Sequence, residues 1–355
     1  MYYFGLLDMK AGAGMIELIQ KDIYRIEIPL PNSPLKSINN YFIQGNDRNL
    51  WIDTAFDNSA CRKTITEAIS LLEVDFTKTD IFLTHKHEDH CELVNFIASS
   101  SSEILASEST VKMLHAGENS VSISDIRTLL KHNTPDYEGL VKSYAPQEEM
   151  NESKPLNLNF RTLRQGDVVS VGSFQFVVME TPGHIDGHLC LYEENRGILF
   201  SGDHILGSIT PNITQWREEK DVIAEYFASL DKIDALKINL VLPGHRNTFV
   251  DCRRRIDQLK THHENRLNEI LQLFKRDHFM ENDGLHDVGL LTAFDIASRM
   301  KWALTNNNFS EFSFLQKLFA VGETKAHLYH LQKLNLLESE VRDSLIYYYA
   351  TDIIL

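Results

Sequence analysis

Cysteine is scarce in this chain of 355 residues, and the four present, Cys61, Cys91, Cys190 and Cys252, follow no framework spacing. A disulfide-stapled secreted scaffold is therefore excluded. Basic charge is also short. Thirty-five Lys and Arg stand against 50 Asp and Glu, giving a formal net charge of −15 and leaving no general electrostatic pull toward nucleic acid. No stretch approaches the roughly 20 apolar residues that a membrane-spanning helix needs. The start, Met1-Tyr2-Tyr3-Phe4-Gly5-Leu6-Leu7-Asp8-Met9-Lys10, lacks the basic opening and long apolar core of an export signal. There is no internal repeat and no extended low-complexity tract; Ser99–Ser102 reads as a short loop. These absences leave a cytoplasmic globular enzyme, with length for about two domains, as the expectation.

What is abundant is histidine in one place. Thr84-His85-Lys86-His87-Glu88-Asp89-His90 sets three imidazoles and a carboxylate directly after the apolar run Ile81-Phe82-Leu83. Such groups are costly to place together in a core without a cation to neutralise and orient them. Imidazole and carboxylate suit zinc, iron or manganese. His85 and His87, two apart on extended chain, point the same way. Asp89 and His90 then emerge as the chain turns into a helix expected over Glu92–Ala98.

Three further apolar, strand-like runs end in residues of the same kind. Phe174–Met179 leads to Thr181-Pro182-Gly183-His184-Ile185-Asp186-Gly187-His188. Gly197–Phe200 leads to Ser201-Gly202-Asp203-His204, and Ile238–Leu242 leads to Pro243-Gly244-His245. Short β-rich runs bounded by Gly and Pro read as strands feeding tight turns. Four strand ends converging on one sheet edge would make a pocket. The donors are His and Asp with no Cys, which suits an open catalytic site better than a closed structural zinc.

In this order the motifs resemble the metallo-β-lactamase-fold hydrolases, over residues from about 15 to 250. The strand Ile38–Ile43 and the segment Leu50-Trp51-Ile52-Asp53-Thr54 join the resemblance. Pro182-Gly183-His184, followed by Gly187-His188, is most similar to glyoxalase-II-like members and related hydrolases. Ala55 stands where the family often has Gly, and Cys91-Glu92-Leu93 where glyoxalase-II-like members have small residues. The resemblance implies an α+β fold, an αββα sandwich. It also implies two transition-metal ions, zinc first, with iron or manganese as alternatives. His85, His87 and His184 would bind one, Asp89, His90 and His245 the other, and Asp203 would bridge them. Asp53, His188 and His204 would support these ligands from behind, with His204 also open to a part in catalysis or to simple packing.

Two ions about 3.5–4 Å apart can clamp attacking and leaving oxygens and hold a hydroxide between them. Binding lowers the pKa of water from about 15.7 to about 7. That is roughly 12 kcal/mol of activation at about 1.36 kcal/mol per unit. No Ser or Cys nucleophile is needed, and Asp89 would orient the hydroxide. The leading expectation is thus a hydrolase of small carbonyl esters, thioesters first, because a thiolate leaves without a general acid. A phosphodiesterase or endoribonuclease of the same fold is the second, a lactonase or β-lactam hydrolase the third. A purely metal-binding or interaction protein is the class least consistent with a complete ligand set.

Around this core the reading places a helical insertion at about 108–156, over the pocket, with Met113, Leu114, Ile126, Leu129 and Leu130 as buried positions. Met150-Asn151-Glu152 and Pro155 mark a loop back into strands near Phe160–Leu163 and Asp167–Ser170. Residues 251–355 form a second, helical region: Arg253–Arg276, a break at Asp283-Gly284, then Leu290–Trp302, Glu311–Phe319 and Glu323–Leu337. This end resembles the winged-helix-like module of some relatives. Its sparse basic residues, flanked by Glu323, Glu338 and Glu340, favour packing on the catalytic domain, covering the pocket, or homodimerisation over DNA. Cys91 is expected to be a buried apolar Cys. His262-His263 and Arg253-Arg254-Arg255 are expected to form a solvated face.

Overall fold

The computed structural model describes residues 9–11, 14–31, 33–118, 120–143, 157–216, 220–280, 289–302 and 308–351. The loop expected at Met150–Glu152 with Pro155, the break at Asp283-Gly284, and residues 1–8 of the chain start lie outside the described residues. The chain forms two compact units. One gathers Met1–Ser120, Glu152–Pro211 and Ser229–Ile256; the other gathers Val121–Asn151, Asn212–Ala228 and Asp257–Leu355.

The first unit holds two sheets. Strands β1 (Met9–Ala11), β2 (Gly14–Gln20), β3 (Ile23–Pro29), β4 (Ser37–Ile43), β5 (Asn49–Ile52), β6 (Thr79–Phe82), β7 (Glu103–Ala106) and β8 (Asn159–Thr162) lie side by side in chain order. Pairing is antiparallel from β1 to β5 and parallel from β5 to β8. Parallel neighbours need crossover connections. Helix α1 (Ser59–Leu71), capped by the Asn58 side chain on Cys61 N–H, supplies the one between β5 and β6. The second sheet runs β13-β12-β11-β10-β9, from β9 (Val168–Val171), β10 (Phe174–Glu180), β11 (Leu189–Glu193), β12 (Ile198–Gly202) and β13 (Leu240–Pro243).

Alternation along the central strands explains the layering. Tyr41, Leu50, Ile52, Phe82 and Leu105 face one way and share a core with Phe176, Leu189, Leu191, Phe200 and Leu242 of the second sheet. Their neighbours Phe42, Trp51, Ile81 and Ile104 face the other way, against Cys61, Ile65 and Ala68 of α1. Strands buried on both faces read as continuous apolar runs, which is why these were legible as strands but not as to face. The single helix expected at Glu92–Ala98 is instead two short turns, α2 (Glu88–Cys91) and α3 (Val94–Ile97). The His90 carbonyl accepts from both the backbone N–H and the hydroxyl of Thr54, which takes it out of the helical ladder between them. Helix α4 (Glu108–Ala116) ends at Gly117 in the left-handed region.

The second unit contains α5 (Ile123–Asn133) and α6 (Tyr137–Ser143), so part of the expected insertion groups with the C-terminal stretch. Two long elements pass from one unit's residues to the other's: α7 (Val222–Asp234) and α8 (Cys252–Met280). Next come α9 (Ala293–Arg299) and α10 (Phe314–Lys333), each opened by a reciprocal capping box, Thr292 with Asp295 and Ser313 with Gln316. The two helices expected at Glu311–Phe319 and Glu323–Leu337 are this one helix. Gly322 does not break it; a Cβ there would meet Thr214 Cγ2 at 2.5 Å, so the glycine serves close packing. Asn335, at φ 58°, closes the last turn. Leu337 then begins a hairpin, β14 (Leu337–Arg342) and β15 (Leu345–Ala350), whose turn residues Asp343 and Ser344 both have positive φ, the type I′ pattern. Among the described residues, no helix is long and apolar enough to cross a membrane.

Candidate metal centre

All seven residues expected as ligands meet in the first unit. They form three overlapping groups: His85 with His87 and His184, His85 with His90 and Asp203, and Asp89 with His90 and His245. In the first group His87 Nδ1 lies 2.9 Å from His85 Nε2 and 3.0 Å from His184 Nε2. One nitrogen cannot satisfy both neighbours with one proton, so lone pairs are left facing a common point. In the last group His245 Nε2 is 3.4 Å from Asp89 Oδ2 and 3.4 Å from Asp203 Oδ2. Asp203 joins the groups, with Oδ1 3.6 Å from His90 Nε2 and Oδ2 3.9 Å from His184 Nε2.

Three of the imidazoles, those of His85, His90 and His245, are aimed from behind. Beyond the end of β6, Thr84 binds Asp53 through its backbone N–H and its hydroxyl, each at 2.8 Å. The Thr84 hydroxyl, its proton given to Asp53, accepts from His85 Nδ1 at 3.0 Å, which turns His85 Nε2 inward. His90 Nδ1 donates to Asp53 Oδ2 at 2.8 Å, and His245 Nδ1 donates to the Ser37 carbonyl at 2.7 Å. Such outer hydrogen bonds fix tautomer and ring orientation in metal-ligating histidines. His188 does the same for a backbone group: Nδ1 donates to Thr181 Oγ1 at 2.8 Å, and Nε2 accepts the Asp203 N–H at 3.1 Å.

Glycine is required at two of these turns. Gly202, at φ 47°, would put a Cβ 2.7 Å from His188 Nε2; a Cβ on Gly244 would lie 2.7 Å from Asp203 Oδ1 and 2.8 Å from His90 Cε1. The loop carrying His245 is pinned by β4. Asn39 donates to the carbonyls of Pro243 and Arg246, and Tyr41 to that of Pro243. Ser37, Asn39, Tyr41, Thr84 and Thr181 were not anticipated. Only the tandem Asn39-Asn40 carried a signal, as amides at buried positions of an apolar strand.

The charge balance divides the site. Burial, then the imidazoles around it, drops His85 well below the ordinary histidine pKa; burial and His184 drop His87 to about 3. Burial also works against charge on His90 and His245. Asp53, Asp203 and Asp89 outweigh it at His90, and Asp203 with Asp89 pushes His245 up to about 10. The carboxyls answer in kind. Burial raises Asp203 and Asp89, but His245 and His90 outweigh it and hold both below the usual range, Asp203 far below. The three carboxylates demand positive charge at this point.

His90 Nε2, His245 Nε2 and Asp203 Oδ1 are buried with no hydrogen-bond partner. Stranding such an atom costs about 1–3 kcal/mol. Three convergent stranded donors, all nitrogen or carboxylate oxygen, fit divalent metal ions. His204 is buried, its pKa lowered to about 3 by burial, and it joins none of the ligand groups among the described residues. Cys91 is buried beside the motif, its thiol pushed well up by burial, as expected of an inert apolar Cys.

The profile of the metallo-beta-lactamase superfamily matches residues 34–245. The chain is 22% identical to the probable metallo-hydrolase YqjP of Bacillus subtilis, over 92% of this chain and 98% of that one. It is 36% identical to the acyl-coenzyme A thioesterase MBLAC2 of Homo sapiens over 87 residues, 24% of this chain and 31% of the relative. That match therefore spans about a third of the relative's length. A crystal structure of a metallo-beta-lactamase family protein from Thermus thermophilus superposes with a TM-score of 0.74 at 26% identity, covering 94% of this chain and 99% of that one.

Proposed function

We propose that this chain, which belongs to the metallo-beta-lactamase superfamily, is a dinuclear metal-dependent hydrolase that cleaves small acyl thioesters. The observation that carries the dinuclear reading is the position of Asp203, whose carboxylate faces both His184 and the His90–His245 side. In this reading His85, His87 and His184 would hold one ion, Asp89, His90 and His245 would hold the other, and the Asp203 carboxylate would serve both groups. Divalent zinc, the usual metal of this fold, would there polarise the scissile carbonyl and bring the pKa of water toward neutrality.

The remaining work falls to the chain. Asp89 orients the attacking water by accepting a hydrogen bond from it. Asp53, through His90 and Thr84, keeps the donors aimed, and His188 fixes the backbone of Asp203. The substrate class follows from the leaving group. A thiol has a pKa of about 8.5, so its anion departs without a proton, and no general acid is required. The name of the human relative supports the same bond type, over the part of the chain that it matches. The net charge of −15 weighs against a polyanionic phosphodiester substrate.

Thiol release from short-chain acyl-coenzyme A tests the proposal. Turnover should be abolished by chelation and restored by zinc, and should exceed that of aryl esters. Aryl-ester, lactone or RNA cleavage that outpaces thiol release in the same preparation would reassign the substrate and leave the ligands in place.

A further inference from the structure

The pair His262-His263 is not the solvated face that its charged surroundings suggest. His263 is buried and His262 half-buried, and with Glu323 they form a further group of donors close enough to share a metal ion. The group lies within the second unit, on the part of α8 after Asp257 and on α10. Only Arg253 and Arg254 of the neighbouring arginine run are exposed; Arg255 donates to the carbonyls of Leu206 and Ile209.

We propose that His262, His263 and Glu323 bind a divalent transition-metal ion, zinc by preference, with His327 orienting His263 from behind. His327 Nδ1 donates to the Glu323 carbonyl at 2.7 Å, which leaves a lone pair on Nε2. That lone pair faces His263 Nδ1 at 3.0 Å. His263 Nε2 is buried with no hydrogen-bond partner. Without an ion, either tautomer of His263 leaves a deficit. Protonated at Nδ1, it satisfies His327 and strands a lone pair at Nε2. Protonated at Nε2, it strands that N–H and sets two lone pairs against each other. A cation taking the Nε2 lone pair of the Nδ1-protonated form removes that deficit and keeps the hydrogen bond to His327.

The carboxylate is available as well. Glu323 Oε2 accepts from Asn212 Nδ2 at 3.2 Å, whereas Oε1 lies 3.8 Å from His262 Nε2 and 3.9 Å from Arg266 Nε. Those separations are too long for hydrogen bonds. Two bonds of about 2.0–2.2 Å to a shared ion would span the one to His262. His184 and Asp203 stand at the same kind of distance, 3.9 Å, in the catalytic centre. Arg266 is held elsewhere, donating to the Lys301 carbonyl and stacking 4.2 Å over Trp302. The partial exposure of His262 gives the ion an entry path and room for a water ligand. A site with three such donors clips α8 to α10.

The test uses the full chain. After dialysis against micromolar zinc and gel filtration, metal content is measured for wild type, His262→Ala and Glu323→Gln, with folding checked by circular dichroism. Each variant should carry one equivalent less than wild type and keep its hydrolytic turnover. Zinc-edge anomalous diffraction from wild-type crystals should also show a peak between His262, His263 and Glu323. Equal metal content in folded variants, or no peak there when the catalytic centre is filled, overturns the proposal. Loss of the catalytic metals alone would leave this peak in place, so the two sites fail separately.

Discussion

His90 Nδ1 lies 2.8 Å from Asp53 Oδ2, and both side chains are withdrawn from solvent. Asp53 adopts a positive φ of 57°, a conformation that Asp and Asn tolerate far better than other side chains. Asp53→Asn therefore isolates charge from backbone, and it keeps an oxygen for Thr84. The variant should fold normally and bind zinc about 10–100-fold more weakly, the usual cost of losing an outer partner of a ligating histidine. Competition titration against a chromophoric chelator reads this directly, and unchanged affinity would remove Asp53 from the orienting network.

Asp203 and His188 separate a bridging role from a supporting one. Asp203→Asn removes a negative charge facing two donor groups, whereas His188→Ala removes a hydrogen bond to the Asp203 backbone. His188→Ala should lose about 10–100-fold in kcat/KM and Asp203→Asn clearly more. Equal losses in steady-state kinetics would mean that Asp203 does not join the two groups.

Gly244→Ala adds one methyl group where Asp203 Oδ1 and His90 Cε1 already stand 2.7 Å and 2.8 Å away from its position. Backbone and ligands must move apart by tenths of an ångström, enough to spoil coordination while β13 stays paired with β12. The expected outcome is an unchanged circular dichroism spectrum with activity down by about 10²-fold, the scale set by misplacements of this order. A fully active variant would show that this approach is looser than described.

The second unit offers a pH test on a pair of residues that are not themselves proposed ligands. His330 Nδ1 donates to Asp221 Oδ2 at 2.9 Å. Burial raises the Asp221 carboxyl, but this bond and the N–H groups of Ala224 and Ile223 outweigh it and hold the pKa below the usual range. A depressed folded pKa stabilises the protein above the unfolded value, about 3.9, and that stability is lost as pH falls through the folded pKa. Asp221→Asn should therefore melt below wild type at pH 7, with the gap shrinking as pH drops below about 4. A gap constant with pH would show that the carboxylate charge contributes nothing.

The seven candidate ligands were legible because four share one dense run after a strand and three follow a glycine at other strand ends. The groups that aim them were not. Ser37 acts through its carbonyl, which every residue has, and Thr84 differs from any strand-end threonine only in where Asp53 is brought. Asn39 and Tyr41 reach a loop about 200 positions away in the chain, a proximity that only the register between the sheets creates. His263 was misread for a related reason. On a charged helix, spacing alone does not reveal which face a distant helix covers, and α10 covers this one. The helix over Phe314–Lys333 was read as two segments, Glu311–Phe319 and Glu323–Leu337, because the packing of the intervening Gly322 depends on Thr214, a neighbour absent from local sequence.

The central claim is a pair of adjoining metal sites sharing Asp203. Anomalous diffraction at the zinc edge, from crystals of the full chain grown with zinc, tests it most directly. Two peaks should appear in the first unit, about 3.5–4 Å apart, one against His85, His87 and His184 and the other against Asp89, His90 and His245, each in contact with the Asp203 carboxylate. A single peak there, or two peaks with Asp203 bound to only one, would contradict the account.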